Sequence, residues 1–502
     1  MSTVIPTNAT SILVSFVALV VVYNVVYALY TAYLGPLSRF PGPRLAAISR
    51  IPLAIRAFKG AEATELPALH EKYGSIVRIG PKTLSYAGGA QAWNDVHGFA
   101  KSGKAKPFKS PKYYAKPYNG ADDIFTSNGQ THTRQRKILS SPFSDKALKE
   151  QEPMLKRWSL KMKDKLAEKA AANEDVDLLK FYNCTTFDIM GELAFSEGLG
   201  LLDDSEYSPW VKSMFNSIKA AALLREFKLF SPVTEWITEN ILMKTKTIRK
   251  MKYEHWRYST ERLDRRLKQT PEHPDLWTTI LEKSKGGDGL STGEHQANAA
   301  LFMIAGTETT ATALSGTTYW LLRSPDKMQK LCDEVRGALK DFDDITLESL
   351  AKIKYLQACL QEGLRMYPPV PSALVRVTPK GGCIICGEYV PENVFVGVHH
   401  MSTYRSPDHF KNPKEFHPER WLGDPEYKDD HLDAVEIFSV GPRNCLGRNL
   451  AWHEMRMLLA TMVIHFDLAL SKESESWNEQ RVFILWEKVP LMCSLSPVKA
   501  SV

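Results

Sequence analysis

The residues best suited to chemistry lie near the end of the chain, in the run Phe438-Ser-Val-Gly441-Pro-Arg443-Asn-Cys445-Leu-Gly447. A thiolate is a soft metal ligand, and on haem iron it donates electron density strongly enough to favour O–O cleavage. Such a sulfur needs shelter from solvent and stray protons. Gly441 and Gly447 let the backbone approach a flat porphyrin where a Cβ would collide, and amide N–H groups of a tight loop can point at the sulfur. Phe438 can cover the proximal face, and Arg443 can pair with a propionate through a charge-assisted hydrogen bond. Cys445 is therefore the candidate axial ligand of a haem iron. A buried packing residue is the alternative for a cysteine between glycines.

A second polar run, Ala305-Gly306-Thr307-Glu308-Thr309-Thr310, interrupts a segment that is apolar on every side. Burying a carboxylate or hydroxyl without a partner is costly, so these side chains need a reason to be there. A kinked helix with the small Gly306 would make a niche for dioxygen and water. Glu362 and Arg365 stand at i and i+3 on one helical face. Cys383-Ile-Ile-Cys386 has the spacing of half a metal site, but no second pair follows it, and the filling suits a strand and a turn.

The pattern Phe-x-x-Gly-x-Arg-x-Cys-x-Gly resembles the haem-binding signature of the cytochrome P-450 superfamily at every defined position. Other family motifs follow the same order over nearly the whole chain. Phe416-His-Pro418-Glu419-Arg420-Trp421 is similar to the segment whose arginine completes a buried triad, here Glu362, Arg365 and Arg420, which implies folding and haem retention. The Ala305–Thr310 run looks like the oxygen-activation segment. Its implied roles are Thr309 as hydrogen-bond partner in oxygen activation and Glu308 as the link to a proton supply, with Ala305 and Gly306 over the haem face. His132-Thr-Arg-Gln-Arg136 resembles Trp-x-x-x-Arg with His132 in the Trp position, so Arg136 is expected at a propionate, and Arg376 resembles a third propionate-binding arginine.

The resemblance implies a mainly α fold with a smaller β region, the cytochrome P-450 fold, holding haem b. It implies a monooxygenase that takes NADPH electrons through a separate NADPH-cytochrome reductase, with cytochrome b5 as a further donor. No flavin or dinucleotide segment occurs in the sequence, so the electrons come from a partner. Arg134, Lys137, Lys146 and Arg448 are the candidate docking cations. Expected substrate-facing positions are the loop Tyr113–Thr126, the helix pair around 215–230, and Phe302, Ala305, Val370, Leu374 and Ile484, most of them apolar. The runs Arg39-Phe-Pro-Gly-Pro, Tyr404-Arg-Ser-Pro and Pro418-Glu-Arg-Trp-Leu are similar to filamentous-fungal secondary-metabolite members of the isotrichodermin 15-hydroxylase and averantin hydroxylase type. That implies a lipophilic terpenoid or polyketide substrate. The alternatives are a haem-thiolate isomerase or dehydratase that uses no O₂, and a non-catalytic haem sensor.

Helical periodicity is expected over 66–73, 91–97, 131–139, 145–171, 178–194, 208–224, 233–240, 244–268, 291–322, 325–340 and 347–367. Strands are expected over 75–79, 83–86, 374–378, 383–390, 394–399, 482–486 and 491–494, and 98–130 reads as one long irregular loop. Ile12 to Leu34 is uncharged and apolar apart from Asn24, roughly 34 Å long as a helix, and so spans a bilayer. The expected organisation is a short lumenal tail 1–11 carrying the Asn8 sequon, a transmembrane anchor 12–34, a Pro/Gly hinge 35–45 and a cytosolic catalytic domain 46–502. Arg39 and Arg44 after the anchor place that domain in the cytosol, on a single-pass endoplasmic reticulum protein. Seven scattered cysteines argue against a disulfide framework. A net charge of +7 over 502 residues, with no dense basic block, argues against nucleic acid.

Overall fold

A computed structural model describes residues 7–100, 105–284, 288–339 and 342–498. Residues 1–6 of the expected tail lie outside the described residues. The rest of that tail is already helical, because helix α1 runs Thr7–Leu29. It continues as a π-helical turn over Tyr30–Leu34. Ser11–Leu34 is long and apolar enough to cross a membrane, and none of it is buried in the protein.

The expected hinge at 35–45 is pinned to the body. Arg78 is buried beneath it, donating from Nη1 to the Thr31 carbonyl at 2.8 Å and from Nη2 to the Ala47 carbonyl at 3.2 Å. Its backbone N–H donates to the Pro41 carbonyl at 2.7 Å. A Cβ on Gly42 would come within 2.3 Å of the Arg78 carbonyl oxygen, so only glycine allows this crossing.

The helices that build the site are α2 (Gly129–Leu139), α3 (Leu178–Phe195), α4 (Pro209–Phe230), α5 (Thr292–Leu322), α6 (Lys354–Met366) and α7 (Arg448–His465). Helix α5 is the axis of the molecule. Ser291 and Glu294 close a capping box at its start, fixing the register of everything after it. It packs along α3, which is buried on almost every side and shares its apolar core. The expected kink is absent as a break, since α5 is helical throughout. Instead Thr307, Thr309 and Thr312 turn their hydroxyls back on the carbonyls of Met303, Ala305 and Glu308 at 2.6, 2.7 and 2.6 Å, an arrangement that satisfies buried threonines and bends helices gently.

Two expected helices are divided. The 145–171 segment breaks at Gln151, where Pro153 opens a new first turn, and 347–367 breaks at Ile353, whose backbone is extended. Helix α7 and the strand Phe466–Leu470 were not anticipated, because cationic and histidine residues interrupt the apolar periodicity of 448–465. The main sheet has the order β1 (Ile76–Gly80), β2 (Thr83–Tyr86), β4 (Phe395–Val398), β3 (Arg376–Val377), with β2 and β4 parallel and the other pairs antiparallel. The expected single strands at 383–390 and 482–486 are hairpins, turned by Cys386 and Gly387 and by Ile484, each at positive φ. Most of the described part of the 98–130 segment is irregular, joined to the sheet by a bridge from Phe108 to Val377 and by the Tyr113 ring 6.1 Å from Phe395.

Candidate active site

A cavity of about 320 Å³ lies between α5 and the loop that precedes α7, within the size range of cofactor and ligand pockets. One wall is Phe302, Ala305, Gly306, Thr309, Thr310 and Ala313 of α5, and the opposite wall includes Phe438, Cys445, Leu446 and Gly447. The loop is held by its own backbone: Gly441–Arg443 form a 3₁₀ turn, and the Cys445 N–H donates to the Phe438 carbonyl at 2.7 Å. Cys445 is a free cysteine exposed into this internal space and not to the outer surface. Burial pushes its thiol up, opposed by the Gly447 N–H and by the Arg136 and Arg448 cations. Phe438 packs 5.7 Å from Trp452, with the Arg448 guanidinium over its ring at 5.8 Å.

The two glycines have different reasons. Gly447 faces the cavity, where a Cβ would meet no atom nearer than Phe143 Cε1 at 3.9 Å, leaving room for a close approach to a flat group. Gly441 does not line the cavity; it sits at φ +75°, where a Cβ would meet the His97 carbonyl oxygen at 2.3 Å. Its role is to let the cysteine loop close against the helix end at Gly98, a correction to its expected place beneath the porphyrin. Gly306 lines the cavity and also admits Met190 of α3, whose sulfur a Cβ would meet at 2.5 Å.

One edge of the cavity is cationic. Lys109, His132, Arg136 and Arg443 line it, and Arg376, 3% exposed, lies close enough to act on Lys109, His132 and Arg443. Burial, then the Arg443 and Arg136 charges, drive His132 down to about 4, and burial with Arg376 and Arg443 holds Lys109 well below its ordinary value. Arg136 places both terminal nitrogens on Asn444, 2.6 Å to the carbonyl and 2.6 Å to Oδ1, clamping the residue before Cys445. Arg443 donates Nη2 to the Ser127 carbonyl at 2.6 Å and to Asn128 Oδ1 at 2.9 Å, while its buried Nη1 has no partner. Both ring nitrogens of His97 and Nδ1 of His400 are likewise buried without partners.

The family profile described as Cytochrome P450 matches residues 46–494. The chain belongs to the cytochrome P450 family. It is 46% identical over 484 residues to cytochrome P450 monooxygenase efuB of Hormonema carpetanum, covering 95% of each chain. It is 38% identical over 475 residues to cytochrome P450 monooxygenase FUM2 of Gibberella moniliformis, covering 94% of this chain and 100% of that one. The averantin hydroxylase of Dothistroma septosporum is 36% identical over 493 residues, covering 97% and 92%.

This P450 therefore takes haem and an external electron donor, and its site fits the haem. The slot is apolar on its faces, its thiol stands opposite α5, and its cationic edge keeps buried donors for which the protein offers no acceptor. The unpartnered Nη1 of Arg443, with Arg376 close by, leaves an edge that would suit the anionic propionates of a haem. Lys109 and His97 were missed from the sequence because no spacing links them to the cysteine loop.

Glu308 stands one layer behind the wall. It is 3% exposed, does not line the cavity, and is ion-paired with Lys488, which also donates to the Thr312 hydroxyl at 2.6 Å. Burial pushes the Glu308 carboxyl up, opposed by the Lys488 charge. Of the expected substrate-facing positions, Phe302, Ala305, Val370 and Leu374 line the cavity, joined by Ile124 and Phe125 of the loop. Phe215 packs instead against Phe187 and Tyr207 in the core, Phe230 is exposed, and Ile484 forms the turn of its hairpin. Arg134 is not a free docking cation: it is paired with Glu294 of the α5 capping box and donates to the Gly289 carbonyl at 2.8 Å, whereas Lys137, Lys146 and Arg448 are exposed.

The triad is built as expected and extends further. Arg365 donates Nε and Nη2 to Glu362 at 2.9 and 2.7 Å, and Arg420 donates Nε at 3.0 Å. Trp421 Nε1 and the His417 N–H add bonds of 2.9 Å each, and Asp430 pairs with the far side of Arg420. Glu362, Arg365 and Arg420 all have fully buried side chains.

Proposed function

We propose that this P450 is a membrane-anchored haem-thiolate monooxygenase that inserts one oxygen atom of O₂ into a lipophilic terpenoid or polyketide. The observation that carries this reading is one cavity in which Cys445 on its loop faces Thr309 on α5 across apolar walls. When bound, the haem supplies the oxygen chemistry. The chain's own residues do the rest. Cys445 would hold the haem iron through its sulfur, with the Arg136–Asn444 clamp fixing its loop. Lys109, His132, Arg376 and Arg443 would hold the propionate edge. Phe302, Ala305, Val370 and Leu374 form an apolar seat that excludes water and orients the substrate. Thr309, half-buried and facing the cavity, offers its hydroxyl to the reacting oxygen; Glu308, tied to Lys488, is the expected link from Thr309 to a proton source behind the helix.

In this reading the anchor Ser11–Leu34 sits in the endoplasmic reticulum membrane with the catalytic body in the cytosol. NADPH electrons arrive through a separate NADPH-cytochrome reductase, with cytochrome b5 as a second donor. The full-length protein, reconstituted with reductase, NADPH and a panel of terpenoids and polyketides under ¹⁸O₂, is expected to give product carrying one labelled atom. Product formed with no label, or formed equally well without O₂, would contradict the proposal.

A further inference from the structure

A second cavity, of about 70 Å³, lies behind the stretch of chain that walls the Cys445 cavity. Leu374 faces the Cys445 cavity, whereas its neighbours Ala373 and Val375 face this one, so the two spaces stand back to back. The other walls are the helix Ile51–Lys59, the end of α4 and the sheet at Thr83 and Phe395. The cavity is rich in donors and poor in acceptors. Arg50, Arg56 and Arg225 line it against two carboxylates, Glu62 and Glu226. Both Glu226 oxygens are already used, one by Arg50 Nη2 at 3.3 Å and the other by Arg225 Nε at 3.1 Å. Glu62 accepts from the Ser372 hydroxyl at 3.1 Å and lies 3.5 Å from His399.

A guanidinium carries several N–H donors in a planar fork, yet among the described residues Arg50 and Arg225 each spend a single guanidinium nitrogen. Arg56, 6% exposed, gives Nε to the half-exposed Glu65 outside the cavity at 3.1 Å, and its Nη1 is buried without a partner, as is Thr83 Oγ1. The Arg225 guanidinium is held over the Tyr113 ring at 4.2 Å. Buried donors with nothing to accept from them are costly, and an oxyanion removes that cost. The mouth indicates what the anion is attached to. Ile51 and Phe230, next in the chain to Arg50 and Leu229 of the wall, are exposed at 45% and 42%, and Ile55 and Phe58 extend the apolar face of the Ile51 helix. The structure assigns this cavity as a second ligand site, for the carboxylate head of an amphipathic acid whose apolar tail lies along that rim. A carboxylate matches the planar guanidinium fork, and a space of about 70 Å³ leaves no room for the groups on both sides of a phospholipid phosphate.

Binding here does not depend on turnover at Cys445, so it is measured directly. The probe is octanoate, added to full-length haem-loaded protein in phosphatidylcholine nanodiscs, with saturating phenylimidazole occupying the Cys445 cavity. Calorimetry should show one octanoate bound per protein with the haem spectrum unchanged, and neither octanol nor acetate should match its affinity. Arg225→Gln and Arg50→Gln, each with wild-type melting temperature, should weaken octanoate by about tenfold or more, and Arg225→Lys by less. In the wild type, octanoate labelled with ¹³C at its carboxyl should stay ionised to lower pH when bound than when free, because the guanidiniums favour the charged form. That readout needs no variant to fold. Octanol or acetate binding as tightly as octanoate, unchanged affinity in Arg225→Gln, a bound carboxyl that protonates like the free acid, or displacement of octanoate by phosphatidic acid in the disc would each overturn the assignment.

Discussion

Glu362→Ala is expected to destabilise the protein by about 3–5 kcal/mol, the cost of removing one partner from a buried ionic network. The carboxylate accepts two bonds from Arg365 and one each from Arg420, Trp421 and the His417 N–H, all inside the core. Its loss leaves Arg365 without a counter-charge and Arg420 with Asp430 alone. Since a domain's whole stability is about 5–15 kcal/mol, the variant should lose haem and unfold at far lower denaturant. The pH dependence follows from the same contacts. Burial pushes the Glu362 carboxyl up, but Arg365 and Arg420 outweigh it and hold the group below its ordinary value of 4.5. Its stabilising contribution is therefore complete above that ordinary value and is lost as pH falls through the lower, folded value. Urea unfolding of wild type and Glu362→Gln should show a gap that is constant at neutral pH and narrows on acidification. A gap that widens with acid would contradict the network as described.

Thr309→Ala should act on coupling and leave folding intact. Thr309 spends its hydrogen bond on the Ala305 carbonyl at 2.7 Å, a local contact whose removal costs helix α5 little, while its side chain borders the cavity. Product per NADPH should fall by about tenfold or more, with the missing electrons recovered as peroxide, and Thr309→Ser should restore most of the coupling. Haem content and the carbonyl spectrum should match wild type. Undiminished coupling in Thr309→Ala would remove Thr309 from oxygen activation and favour a reaction that needs no proton there.

What could be read from the sequence was local. The Cys445 loop, the Glu362/Arg365 pair and the Ala305–Thr310 run each compress their chemistry into a few neighbouring residues, so spacing drew attention to them and the family resemblance gave them their roles. Long helices with regular apolar faces were legible for the same reason, but α7 was hidden by the arginines and histidines along its surface. The contacts that decide the site's electrostatics were not local. Lys488 lies 180 residues from Glu308, and Arg136 lies 308 residues from Asn444, separations that no periodicity can bridge. Gly441 shows how a motif residue can be legible while its reason is not: its missing Cβ makes room for the His97 carbonyl, a contact that only the fold creates.

The central claim is that Cys445 presents a thiolate to haem iron, and the carbonyl spectrum of the reduced protein tests it most directly. The wild type should give the thiolate-type band together with NADPH-dependent product, and Cys445→Ser should lose both while the buried Glu362 network keeps the fold intact. A thiolate-type band or full turnover surviving in Cys445→Ser would contradict the account.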